Sequence, residues 1–161
     1  ELSNIAGAVP HIVSVSVGAS AVSQRIYYIC RDGLRAMDLE AVCAALGMSH
    51  RCPALLMTML ELTEGQFHLP PNSVLLGIRR HRKESELKVE LVCGTAMSPD
   101  GLIDRIRRLL QPVSLVAFRR WVSILCPEKV GTLPVRVVSV KTSALQPPRL
   151  SVYAAEPWSE W

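Results

Sequence analysis

Arg25-Ile26-Tyr27-Tyr28-Ile29-Cys30 and Lys88-Val89-Glu90-Leu91-Val92-Cys93 are the two stretches whose reading decides the fold. Laid over one another without a gap, they set base on base (Arg25 on Lys88) and cysteine on cysteine (Cys30 on Cys93). A third stretch, Arg149-Leu150-Ser151-Val152-Tyr153-Ala154, keeps the same step, because Tyr27, Glu90 and Tyr153 are equally spaced. Each stretch alternates apolar and polar residues, the signature of a strand with one face covered.

Each stretch is also preceded by a partner. Ile12 to Val17 alternates ahead of the first, Val74 to Arg79 leads into the second through the charged run His81 to Glu86, and Val135 to Thr142 leads into the third through Gln146-Pro147-Pro148. The three pairs read as hairpins. Between the first two, a stripe of Leu39, Val42 and Leu46 opens at Asp38 and stops at Gly47, and Pro53 starts a second helix through Leu62 that ends by Gly65. Between the last two, Ser98-Pro99-Asp100 is a helix start for the stripe Leu102, Ile103, Ile106, Leu109 and Leu110. Another helix carries Leu115, Phe118, Val122 and Leu125 up to Pro127. The expected class is α+β: repeated ββαα units forming a curved antiparallel sheet with helices on its outer face, a partial or shared barrel. One domain, residues 1–161, holds three hairpin repeats at about 11–65, 73–127 and 134–155.

Alternation sorts the strand residues onto two faces. Ile26, Tyr28 and Cys30, Val89, Leu91 and Cys93, and Leu150, Val152 and Ala154 form an apolar list, joined by Val13, Val15, Val17, Leu76 and Ile78; the helices are expected to pack there. The opposite list is Ser14, Ser16, Arg25, Tyr27, Gly77, Arg79, His81, Lys88, Glu90, Ser139, Lys141, Arg149, Ser151 and Tyr153. Bulk water is the ordinary fate of such a face. Here five cations recur at neighbouring strand positions, interleaved with tyrosines, and they repel one another unless an anion or an acid such as Glu90 lies among them.

The pattern Arg25-x-Tyr27, Lys88-x-Glu90 and Arg149-x-Ser151-x-Tyr153 resembles that of the ABBA, or PT-barrel, aromatic prenyltransferases, and Leu150-Ser151-Val152-Tyr153 looks like the last strand of that family. The resemblance spans three hairpins of a barrel built from about five such units, and one tyrosine position is held by Glu90. It implies transfer of a prenyl group from an allylic diphosphate to an indole or phenol acceptor. Arg25, Arg79, Lys88, Lys141 and Arg149 would bind the diphosphate, Tyr27 and Tyr153 would shield the allyl cation, and Glu90 would orient or deprotonate the acceptor. Mg2+ is compatible with such a site and not required by it. Six strands do not close that barrel, so a second copy or a partner chain is expected to complete it. The alternative is a non-catalytic α+β module that binds a ligand or protein through the same face and oligomerises through its sheet edges.

The rest of the sequence narrows the field. A net charge of +4 and a pI near 9.0 favour an anionic partner. Two Phe and three Tyr supply few stacking platforms, so nucleic acid is not expected. No apolar run reaches the roughly 20 residues of a membrane span, and no secretory leader is expected. Cys30, Cys43, Cys52, Cys93 and Cys126 lack C-x-x-C spacing and read as small core residues of a reducing compartment, the cytoplasm. His11, His50, His68 and His81 are scattered and suggest no metal site. Arg105, Arg107 and Arg108 read as a solvated helix face, and Trp158 and Trp161 as rim or subunit contacts.

Overall fold

The computed structural model describes residues 5–17, 22–81, 84–125 and 135–154. It is an α+β fold with a six-stranded antiparallel sheet. The strands are β1 (Ala8–Val17), β2 (Val22–Cys30), β5 (Val74–His81), β6 (Glu84–Val92), β7 (Val135–Ser143) and β8 (Arg149–Ala154), hydrogen-bonded in the order β1-β2-β5-β6-β7-β8. Two-residue strands β3 (Leu34–Arg35) and β4 (His68–Leu69) form a separate ribbon that the sequence reading did not include. The ribbon depends on Gly33, whose φ is +82° and whose missing Cβ would stand 2.2 Å from the Leu69 carbonyl oxygen.

Helices α1 (Ala36–Ala45), α2 (Cys52–Leu62), α3 (Leu102–Leu109) and α4 (Pro112–Leu125) fill the two long connections. The chain enters α1 through the backbone N–H of Arg35, which donates to Asp38 at 2.9 Å. Pro53 sits in the first turn of α2, where its missing N–H costs nothing. Leu55, Met59 and Leu62 then recur on one buried face. In α3, Asp104 in the first turn and Arg107 and Arg108 in the last complement the helix dipole. The Ser98-Pro99-Asp100 start is displaced: Ser98 accepts from the Asp100 N–H at 3.1 Å in a preceding turn, and left-handed Gly101 is the residue that enters the helix.

All four helices meet the sheet on one face. Val74, Leu76, Ile78, Leu87, Val89, Leu91, Val138 and Val140 form a continuous core with Leu39, Val42, Leu55, Leu62, Ile106 and Phe118. Each fully buried Leu or Val stabilises the fold by about 1.5–3 kcal/mol relative to exposure, so this face holds the structure together. Phe118 stacks on Trp121 with centroids 5.8 Å apart. Pro127, Cys126, Trp158 and Trp161 lie outside the described residues.

Three expectations need correction. Val13, Val15 and Val17 do share the helix-side face with Ile26, but they are 55%, 60% and 79% exposed, because the helix layer stops short of the outer part of the β1–β2 hairpin. The charged run His81 to Glu86 is not a six-residue turn: His81 pairs with Glu84 and Arg79 with Glu86, so only residues 82 and 83 lie between the strands. Arg105 is not solvated. It is 5% exposed, pairs with Glu64 just beyond α2, and donates to the Asp100 carbonyl at 2.8 Å and to that of Ser98.

Candidate functional site: the polar face of the sheet

Register places the polar list in rows across the face opposite the helices. Tyr27 on β2 pairs with Gly77 on β5, Gly77 with Lys88 on β6, Lys88 with Lys141 on β7, and Lys141 with Arg149 on β8. The adjacent row runs Ile29, Leu75, Glu90, Ser139 and Ser151. On the other side Arg79 pairs with Glu86, and Glu86 with Ser143. Arg25 stands two residues before Tyr27 on the same face, since side chains repeat every second residue.

This face is far less wet than an open sheet surface. Glu86 is 6% exposed, Lys88 8%, Ser143 4% and Ser139 0%. Glu86 and Lys88 are covered by neighbouring side chains that lean over them. Tyr27 and Tyr153 belong to strands two positions away from β6 on either side, which is about 10 Å at the backbone. Yet the Lys88 ammonium lies 5.7 Å from the centroid of the Tyr27 ring and 4.9 Å from that of Tyr153. Both rings are within the range of cation–π attraction. Gly77 makes room for this: a Cβ there would lie 2.7 Å from the Tyr27 ring and 3.0 Å from Cδ of Arg25. Tyr27 therefore folds across bare backbone toward the centre of the sheet.

Two carboxylates organise the cations. Glu86 is the hub, paired with Arg25, with Arg79 at 3.1 Å and with Lys141 at 2.7 Å. Glu90 holds Lys88 at 2.5 Å, and Lys88 also donates to the Tyr153 hydroxyl at 3.0 Å. Cations outnumber these carboxylates five to two, with Glu84 further along β6. The excess is felt at Lys141. Partial burial, then the nearby charges of Arg25, Arg79, Arg149 and Lys88, push its ammonium below its ordinary value, and the one carboxylate it shares with two arginines does not offset them. Burial also works against the charge on Lys88, but its hydrogen bonds with Glu90 and Tyr153 prevail and hold it above its ordinary value. Tyr153 is lowered, chiefly by the hydrogen bond from Lys88. On this face two buried polar atoms, Nε of Arg25 and the Ser139 hydroxyl, have no hydrogen-bond partner among the described residues.

Every site residue singled out from sequence falls on this one face: Arg25, Arg79, Lys88, Lys141 and Arg149, Tyr27 and Tyr153, and Glu90. Arg149 and Tyr153 lie towards the rim and are exposed, whereas Lys88 is at the centre. Sequence reasoning missed Glu86, which it assigned to a turn, and the buried Ser143; it placed Ser139 on this face but not among the site residues. Counting back in steps of two from Glu90 through Lys88 reaches Glu86 and is the signal that would have found it.

Compared with known proteins, the chain matches no protein-family model, no curated protein and no solved structure. Among the described residues no helix is long and apolar enough to cross a membrane.

Proposed function

We propose that the polar face binds an allylic diphosphate and presents it to an aromatic acceptor, as a protein of the aromatic prenyltransferase type. The observation that carries this reading is the Lys88 ammonium held between the rings of Tyr27 and Tyr153 amid four further cations. Two π-faces already converge on one positive charge, the arrangement that stabilises an allyl cation and keeps water from quenching it. Arg25, Arg79, Lys141 and Arg149 would meet the diphosphate, and Lys88 would turn its third N–H onto one of its oxygens while keeping its bonds to Glu90 and Tyr153. Positive groups fixed in a partly dry site are worth most where charge builds on a leaving group. Glu90 would orient the indole or phenol.

The convergence of side chains from β2 and β8 over β6 supports a sheet bent toward this face, and the hairpin–helix–helix order supports repeated ββαα units of a partial barrel. Among the described residues β1 and β8 each pair on one side only. The long β1 edge has no Lys, Arg, Asp or Glu from Ala8 to Val17 and carries exposed valines, which supports completion of the barrel by a second copy. The same edge favours the second reading, a non-catalytic module that oligomerises through its sheet. The free, mostly buried Cys30, Cys43, Cys52 and Cys93 suit a reducing, cytoplasmic setting.

The test is diphosphate release from dimethylallyl diphosphate in the presence of indole and phenol acceptors. Release that falls by about 100-fold in Lys88→Ala and Arg149→Ala supports transfer. Binding that is lost in both variants, with no release from the wild type, establishes the binding module instead.

A further inference from the structure

We infer that Tyr153 is the proton acceptor of the polar face, held ready by Lys88 with Glu90 behind it. The inference rests on the prenyl-transfer reading for its substrate and on the geometry of β6, β7 and β8 for the residue. Lys88 donates to the Tyr153 hydroxyl at 3.0 Å, and the same ammonium is held by Glu90 at 2.5 Å. Lys88 is 8% exposed, whereas Tyr153 is 44% exposed. The relay therefore runs from a covered carboxylate, through a covered ammonium, to a phenol that both ligand and solvent reach.

The charge logic favours Tyr153 over Glu90 as the base. The Glu90 carboxylate is already satisfied by the closest cation, and its side chain is only 16% exposed. A phenolate at Tyr153 would be stabilised by the ammonium that donates to it, and its ring already lies 4.9 Å from that charge. The phenol is accordingly displaced below its ordinary value, with Lys88 the first cause and Glu90 opposing. The other charged or titratable groups placed on its face are Arg25 and Tyr27 on β2, Arg79 on β5, Glu84 and Glu86 on β6, Lys141 on β7, and Arg149 on β8. Four of them are cations against two carboxylates, and that balance adds to the stabilisation of a phenolate.

In the reaction, a bond forms between the terminal prenyl carbon and a ring carbon of the acceptor. The carbon–oxygen bond to diphosphate breaks, and its electron pair leaves with the diphosphate. The acceptor carbon then gives its proton to the Tyr153 phenolate oxygen, restoring aromaticity. Tyr153 returns the proton to solvent through its exposed edge.

The test is a spectrophotometric titration of tyrosinate on the free protein, which needs no allylic diphosphate. The expected result is one phenol ionising below the ordinary value of about 10, absent in Tyr153→Phe and retained in Tyr27→Phe. In Lys88→Met it should move back up. In Glu90→Gln, which keeps side-chain shape, it should move further down, because the opposing carboxylate charge is gone. A low-titrating phenol that survives in Tyr153→Phe overturns the assignment, as does one that ignores both partner substitutions. In the transfer assay Tyr153→Phe should lower kcat about 100-fold with KM for the diphosphate little changed. Full kcat in that variant also overturns it. A titration that behaves as expected in a protein that transfers no prenyl group would count against the proposed reaction and not against the poised phenol.

Discussion

Replacing Glu86 by Gln removes one negative charge from beneath three cations and leaves the shape of the side chain intact. The Glu86 side chain is 8% exposed, and Arg25, its most covered partner, is 17% exposed. Breaking a pair this buried costs about 3 kcal/mol. Arg79 and Lys141, at 35% and 38% exposure, lose about 0.5 kcal/mol each. The Gln carbonyl keeps one acceptor and returns about 1 kcal/mol, so the net loss is about 3 kcal/mol. With a urea slope of about 2 kcal/mol per molar, the unfolding midpoint should fall by about 1.5 M. The same substitution should help an anionic ligand, because the competing carboxylate is gone. Inorganic diphosphate should bind about tenfold tighter to Glu86→Gln than to wild type, by the Coulomb energy of one unit charge across several ångströms of partly dry protein. At a hundredfold excess over its dissociation constant it should restore about 2.7 kcal/mol of stability. The assay is urea unfolding of both proteins with and without diphosphate. A midpoint shift under about 0.3 M, or diphosphate that stabilises wild type and not the variant, would refute the reasoning.

The remaining predictions follow from single contacts. Gly77→Ala puts a methyl group 2.7 Å from the Tyr27 ring and 3.0 Å from Arg25; side chains yield more readily than backbone, so thermal unfolding should report a loss of about 1–2 kcal/mol and diphosphate affinity should drop. Asp38 is held below the usual carboxylate range, first by its hydrogen bond from the Arg35 side chain. A depressed folded-state value means that its stabilisation is present above the unfolded value near pH 4 and is lost as pH falls through the folded one; Asp38→Asn should thus cost about 1 kcal/mol at pH 6 and nothing at low pH in urea unfolding. Val15→Lys places a charge in the exposed valine row of the β1 edge; light scattering should show an assembly in the wild type and its dissociation in the variant, and a wild-type monomer would remove the second copy from the account.

How much of this could be read from the sequence depends on whether the controlling pattern was local. The alternation in Ile26 to Cys30, Val89 to Cys93 and Leu150 to Ala154 carries the strands and sorts their faces without tertiary information, and that assignment placed Arg25, Lys88, Glu90 and Tyr153 together. It gave no signal in Arg79 to Glu86, where every residue is polar and hydrophobic period vanishes, so the hairpin tip was mistaken for a turn and Glu86 was overlooked. Arg105 was misread because its burial comes from Glu64, 41 residues away, and from carbonyls of a turn that no helical stripe reveals. For Val13, Val15 and Val17, alternation named the face correctly but says nothing of how far a helix layer extends. Strands as short as Leu34–Arg35 and His68–Leu69 contain too few residues to show any period.

The central claim is that the cations of the polar face are arranged for an anion and not merely for Glu86 and Glu90. Calorimetric titration of dimethylallyl diphosphate into the wild type, Lys88→Ala and Arg149→Ala tests it most directly. Charge-assisted contacts of this kind are each worth about 1.5–3 kcal/mol, so the account predicts saturable wild-type binding that weakens about 10- to 100-fold in each variant and weakens further with added salt. Binding of equal strength in all three proteins would contradict it.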